Sequence, residues 1–249
     1  MAVYDATCSA LLTCAALVVS HLACSSIVMH MDLSGKWAPY SLHKKRVATA
    51  KDYIDGWRSF CTDQLLMFLP FMTFCFWYSA DKINNCTDTL LVSVAKLGTG
   101  YLMGKIWATF VHYMLHFPSL YRFHRRHHHN PNRVVASAAW DDSLVEYALM
   151  ELPSFGITVL IFPTHFLVYI VHFFLHGYDG AANHSGFSGV PGLLGYLFDG
   201  EYHYHHHNLL SVNYAEIEVI DKLFGTHHSY RLKNKLKVRQ TIFCPIPAA

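Results

Sequence analysis

Charged side chains are scarce in this chain. Asp, Glu, Lys and Arg together make up 14% of its 249 residues, against 53% hydrophobic ones, and the mean hydropathy is positive. That balance disfavours a soluble globule and favours a membrane protein. The formal net charge is only +2, and the cations are not interleaved with a stacking platform, so no nucleic acid partner is expected. The seven cysteines contain no C-x2-C pair, which removes a zinc ribbon and makes a disulfide framework a poor reading. There is no G-x-S-x-G elbow, P-loop or Rossmann fingerprint to support hydrolase or nucleotide chemistry. Internal repeats, a low-complexity tail and a C-terminal KDEL-type or dilysine signal are missing as well.

What the chain has instead is histidine. Fourteen of its 19 histidines lie between His112 and His207, most of them in three tracts. The first is H-x3-H (His112, His116). The second and third are both H-x2-H-H (His124, His127, His128 and His203, His206, His207), and His184 stands between them. Residues three or four apart share one helix face, so each tract can aim its imidazoles at one place. Neutral imidazole binds Zn, Fe, Cu or Ni, while an all-nitrogen shell excludes Mg and Ca. Nine candidates are too many for one tetrahedral zinc. They suit two metals at four or five nitrogens each. The spacing does not require His129 or His205, which are left outside the set.

The apolar runs set the topology. A first run, about residues 8–31, is long enough to span a bilayer. It lacks the basic start of a cleavable signal and is expected to stay as a helix. A polar, basic stretch covers 32–58, with Lys36, Lys44, Lys45, Arg46, Lys51 and Arg58. A second run follows at about 64–80, a polar loop at 81–88 and a third run at about 89–116. Basic loops remain cytoplasmic. This puts the N-terminus and the 81–88 loop outside, the latter with a sequon at Asn85, and delivers His112 and His116 to the cytoplasmic side. Lys96 and Lys105 fall inside the third run, where charge is unfavourable, and Gly100-x3-Gly104 there permits close helix packing.

The three tracts can meet only if the chain crosses an even number of times between His128 and His203. The apolar stretch from about Leu144 to Leu175 therefore reads as a helical hairpin with its tip at Phe162-Pro163-Thr164. His165 falls at that tip. On the returning limb, His172 reads as a buried, hydrogen-bonded histidine and His176 as a spare group near the metals. Beyond Gly177 the chain turns polar and glycine-rich. Asp141-Asp142 reads as an N-cap for the following helix. Trp107, Tyr113, Phe123, Trp140 and Tyr202 could line a tunnel to the site but read first as core or interfacial anchors, and a tail with Lys222, Arg231, Lys233, Lys235, Lys237 and Arg239 reads as a solvated or headgroup-facing surface. The fold class expected is all-α: a polytopic membrane bundle of about three spanning helices plus a helical hairpin, with a cytoplasmic histidine-rich cap. Residues 1–88 form its N-terminal membrane part and 89–249 the metal domain.

In order, H-x3-H, H-x2-H-H, His184-Ser185-Gly186-Phe187, Glu201 to His207 and Asp221 to Thr226 resemble the fatty acid hydroxylase/sterol desaturase superfamily of membrane di-iron oxidases. The chain is most similar to its sterol C4-methyl oxidase and cholesterol 25-hydroxylase branch. The similarity covers about residues 90–232. It implies two Fe ions held by His112, His116, His124, His127, His128, His184, His203, His206 and His207, with Asn213 as a supporting group beside His176, which its place on the returning limb adds. It also implies O2 as oxidant, a lipid or sterol as substrate, and electrons from a cytochrome b5-type donor and its reductase. The place implied is the endoplasmic reticulum membrane, with a cytoplasmic active site. Two positions depart from the family pattern: Tyr113 stands where the first box usually has Arg, and Gly104 to Ala108 holds no acid. A desaturase of the same superfamily is the nearest alternative. A metal transporter or non-catalytic metal-binding protein is another, although a transporter would place its ligands midway along its helices.

Overall fold

Polar caps and prolines decide where the long helices begin and bend. The computed structural model describes residues 5–43, 48–128 and 134–229. Helix α1 spans Ala6–Ser34, started by the Asp5 carboxylate accepting from Thr7 N at 2.9 Å and ended by Gly35 in the left-handed conformation. Helix α2 spans Ala50–Asn84. Its Thr49 cap and Asp52 close a capping box, which satisfies backbone donors that have no intrahelical partner. Helix α3 is Leu90–Leu115, capped by Thr89, and α4 is Leu144–Ile161. Helix α5 is Phe166–Asn183, α6 Glu201–Leu209 and α7 Glu218–Phe224. The only β-bridge among the described residues joins Ser41 and Phe187.

Both α2 and α4 carry a π-helical turn, at Gln64–Phe68 and Tyr147–Glu151. Each turn is followed by Leu-Pro: Leu69-Pro70 and Leu152-Pro153. A proline in a helix lacks the N–H for the carbonyl four residues back and presses its ring against it. The wider turn relieves that clash. In α4 the carbonyl so released is that of Leu149, and Trp107 Nε1 of α3 donates to it at 2.9 Å.

Close approach fixes the bundle. A side chain on Gly177 of α5 would run into the Leu17 carbonyl of α1. A Cβ on Gly100 or Gly104 of α3 would lie 2.8 Å from Thr158 Oγ1 or the Ser154 carbonyl of α4. The two glycines therefore seat α3 directly on α4, as small residues do between membrane helices. Phe68, Phe155 and Phe173 interlock edge-to-face at 5.3–5.7 Å between α2, α4 and α5.

The chain is an all-helical, multi-pass membrane protein. Three helices among the described residues are long and apolar enough to cross a bilayer: α1, α2 and α4. The third run expected from the sequence forms α3, but α4 takes its place among those three. The tip at 162–165 separates α4 from α5 and lies at the end of the bundle remote from His112. There Lys96 pairs with Asp88 at 2.7 Å and donates to the Pro163 carbonyl, and His165 meets the Asp88 carbonyl. That contact explains how Lys96 is accommodated. Two boundaries move. Residues 50–58, expected in a polar loop, are the first turns of α2. The glycine-rich stretch after Gly177 continues α5 to Asn183, because Gly177 and Gly180 are needed for contact with α1 and Trp140. The basic tail from Arg231 to Arg239, Lys44 to Arg46 and His129 lie outside the described residues. Lys222 pairs with Glu218 at 2.7 Å.

Candidate metal centre

Four elements deliver the histidines. His112 closes α3 and His116 is its C-cap; the turn Tyr121–His124 and the residues after it bring His124, His127 and His128. His184 caps α5, and α6 supplies His203, His206 and His207. They gather as two groups whose ligand atoms lie within 4.8 Å of one another: His112, His116, His124, His128 and His206 in the first, His127, His184, His203 and His207 in the second. The second tract thus sends His127 one way and its two neighbours the other. The third tract divides in the same manner. His176 joins neither group. It packs inside the bundle against His172, Tyr101 and Phe155, with ring centroids 4.6–5.2 Å away.

Three of the outer nitrogens are tied back to backbone carbonyls. His112 Nδ1 lies 2.7 Å from the Tyr214 carbonyl, His206 Nδ1 2.8 Å from that of Val212 and His184 Nδ1 3.1 Å from that of Gly180. A carbonyl only accepts, so each of these imidazoles donates from Nδ1 and leaves Nε2 as a bare lone pair. The Nε2 atoms converge. His112 and His116 are 3.4 Å apart, His206 and His128 3.2 Å, His184 and His127 3.4 Å, His184 and His203 3.0 Å, and His207 is 3.3 Å from His184. His124 Nε2 is buried with no hydrogen-bond partner. Lone pairs facing one another in a dry interior are unfavourable unless a cation lies between them, so the donor set fits two metal ions that accept imidazole.

Two carboxylates back the histidines. Glu146, fully buried, meets His124 Nδ1. It is held by a capping box with Ser143, whose hydroxyl accepts from Glu146 N at 3.2 Å. Asp142 Oδ1 lies 3.2 Å from His127 Nδ1. The cap of α4 is therefore Ser143, and the Asp141-Asp142 pair has other work: Asp142 turns inward to the imidazole, and Asp141 binds Arg126 and Ser59. Such outer partners fix a ligand's tautomer and ring orientation.

A second support is Asp221. Its carboxylate accepts from Tyr214 N at 3.0 Å, Ala215 N at 2.8 Å, the Tyr202 hydroxyl at 2.6 Å and the Thr226 hydroxyl. It thereby pins the segment whose Tyr214 carbonyl orients His112. Asn213 sits in the same turn at φ 53°, a left-handed conformation that Asn tolerates better than most residues. Its amide donates to the Tyr202 carbonyl and accepts from His228 N, so it holds the turn rather than an imidazole.

Burial pushes His124, His128, His203, His206 and His207 well below the ordinary histidine range, with repulsion from neighbouring imidazoles adding to it. Their neutral form is also the ligating form. The unfolded chain protonates at about 6.5, above the folded values, so below that pH the unfolded state takes up more protons. The metal-free protein should hold its melting temperature above pH 7 and lose it steadily as pH falls below about 6.5. A melting series across pH checks this; a flat profile down to pH 5 would contradict it.

Beside the first group opens an apolar cavity of about 810 Å³, lined by Ile106, Trp107, Phe110, Tyr113, Tyr214 and Phe224 among others, with no charged residue in its lining. Trp107 and Tyr113, for which the sequence preferred an anchor role over a tunnel-lining one, are walls of this cavity. The Tyr214 ring stands between it and the histidines, 5.1 Å from His116 and 5.4 Å from His206.

An all-helical membrane protein with two converging nests of imidazole is a membrane metalloprotein in class. Residues 97–226, more than half of the chain and including all nine histidines and Asp221, match the family described as fatty acid hydroxylase. The chain belongs to that family, which is one of membrane di-iron oxidases. No curated protein and no solved structure matches it.

The acids behind the histidines were not read from the sequence. Ser143-x-x-Glu146 is visible there as a capping box. Its contact with His124 is not, because it joins residues on separate elements.

Proposed function

We propose that this chain is an O2-dependent di-iron oxidase that hydroxylates or oxidises a C–H bond of an uncharged lipid, a sterol first among them, as a C4-methyl oxidase or sterol hydroxylase would. The observation that carries the reading is the convergence of nine imidazoles in two nests, three of them with the outer nitrogen tied back to a backbone carbonyl. Two irons, when bound, would supply O2 activation and an oxidant strong enough to take hydrogen from an unactivated carbon. The chain's own residues do the rest. His112, His116, His124, His128 and His206 would hold one ion and His127, His184, His203 and His207 the other. Glu146, Asp142 and the Tyr214, Val212 and Gly180 carbonyls hold the rings in place. Packing of the bundle around the nests keeps bulk water out.

The uncharged cavity beside Tyr214 supports a neutral lipid over an acyl thioester of coenzyme A, whose phosphates need cationic partners. Its volume is in the range of small-molecule sites. Electrons would come from a cytochrome b5-type carrier and its reductase. The setting would be the endoplasmic reticulum membrane with the metals on the cytoplasmic side, where the basic 32–58 segment also belongs.

The test is to supply the iron-loaded protein with sterols, O2 and that electron chain, and to read products by mass. A gain of one oxygen supports the hydroxylase reading, loss of two hydrogens the desaturase alternative, and no product with any lipid refutes both. Ile157 also lines the cavity. Ile157→Trp should raise KM about fivefold or more with metal content unchanged, since it removes binding space and no ligand.

A further inference from the structure

Lys105 is the charge that the fold must explain. It lies seven residues before His112 on α3, about 10 Å into the bundle from the metal end, and is buried. An ionisable side chain at such a place in a membrane bundle marks function by default. Its ammonium pairs with Asp179 at 2.5 Å and with Glu216. Tyr101 extends the set by donating to Asp179 at 3.0 Å. Beside it is a cavity of about 40 Å³, lined by Lys105, Glu151 and Glu216 and by imidazoles of both groups, His124 and His203 among them. That is room for one or two waters among several polar partners.

One ammonium needs one carboxylate. Here three converge on it or on its cavity, so the set has places for a proton as well as for the ion pair. Exposure is graded: the Glu216 side chain is 31% exposed and that of Lys105 8%. A path therefore runs from an outer carboxylate through a buried ammonium to a cavity touching both histidine groups.

We propose that Glu216, Lys105 and Glu151 form a proton relay that serves the metal centre; this rests on the oxidase reading above. In that reaction a substrate R–H, O2, two electrons from the external one-electron carrier and two protons give R–OH and water. The relay supplies the two protons, which leave in the water. It regains them from solvent through Glu216.

The test uses the full-length protein with Glu151→Gln and Glu216→Gln, both near-isosteric. Each variant should keep wild-type metal content and a KM within twofold. Turnover should fall about tenfold or more, the range of a lost proton-transfer group, and the share of O2 released as hydrogen peroxide should rise. A structural role would not produce that pattern. Unchanged turnover, or turnover falling in proportion to metal content, overturns the relay. Should Glu151→Gln fail to fold, Glu216→Gln decides the matter at its more exposed position. A second readout needs no turnover. A hydrophobic carbodiimide adds to a protonated carboxyl as an N-acylurea, and in zinc-loaded protein it should label Glu151 or Glu216. Labelling of neither carboxyl also overturns the relay. If wild-type protein oxidises no lipid, it is the oxidase reading that fails, and the labelling result stands apart from it.

Discussion

His206→Ala should abolish lipid oxidation, while His205→Ala leaves it intact. The two residues are neighbours in one tract, yet the fold gives them opposite fates. His206 is buried, with Nδ1 on the Val212 carbonyl and Nε2 3.2 Å from that of His128. His205 points outward, 3.6 Å from Glu201 and stacked on His228 at 4.8 Å. Loss of a supporting group commonly reduces metal affinity or activity about 10–100-fold, and loss of a ligand should exceed that. Product formation under matched iron loading checks the pair. Equal activity in the two variants would remove the basis for assigning His206 to a metal.

Asp221→Ala should be the most damaging change away from the histidines. It strips a buried acceptor from two backbone N–H groups and two hydroxyls at once. Each buried donor left unpaired costs about 1–3 kcal/mol, so a total loss of about 2–5 kcal/mol is expected, below the simple sum because the segment relaxes. The effect reaches the metals through Tyr214, whose carbonyl loses its fixed place under His112. Metal retained after dialysis should fall about tenfold or more. Melting temperature and metal content, read together, test this. A variant that melts early but binds metal fully would cut the link between the Asp221 clamp and His112.

Local spacing made much of this legible in the sequence. Imidazoles three or four apart on a helix must share a face, and that alone brought His112 to His116 and His203 to His207. The even number of crossings followed from requiring the tracts to meet, and the break at Pro163 supplied the tip. What spacing could not give was the partition. Adjacent residues such as His127 and His128 enter different groups because the surrounding elements, not the tract, decide where each ring points. The same holds for Glu146, Asp142 and Lys105. Each is explained by a partner on another element, and Lys105 has no account at all without Asp179 and Glu216. The glycine-rich stretch after Gly177 misled for a related reason. Glycine disfavours a helix locally, but contact with α1 and Trp140 requires a helix without side chains there, and the tertiary contact wins.

The assignment of two metals to two groups is open to a direct count. Elemental analysis of the purified protein, beside His206→Ala for the first group and His203→Ala for the second, should find about two irons per chain in the wild type and fewer in each variant. Both variants binding as much metal as the wild type, or a wild type that binds none, would contradict the two-nest account.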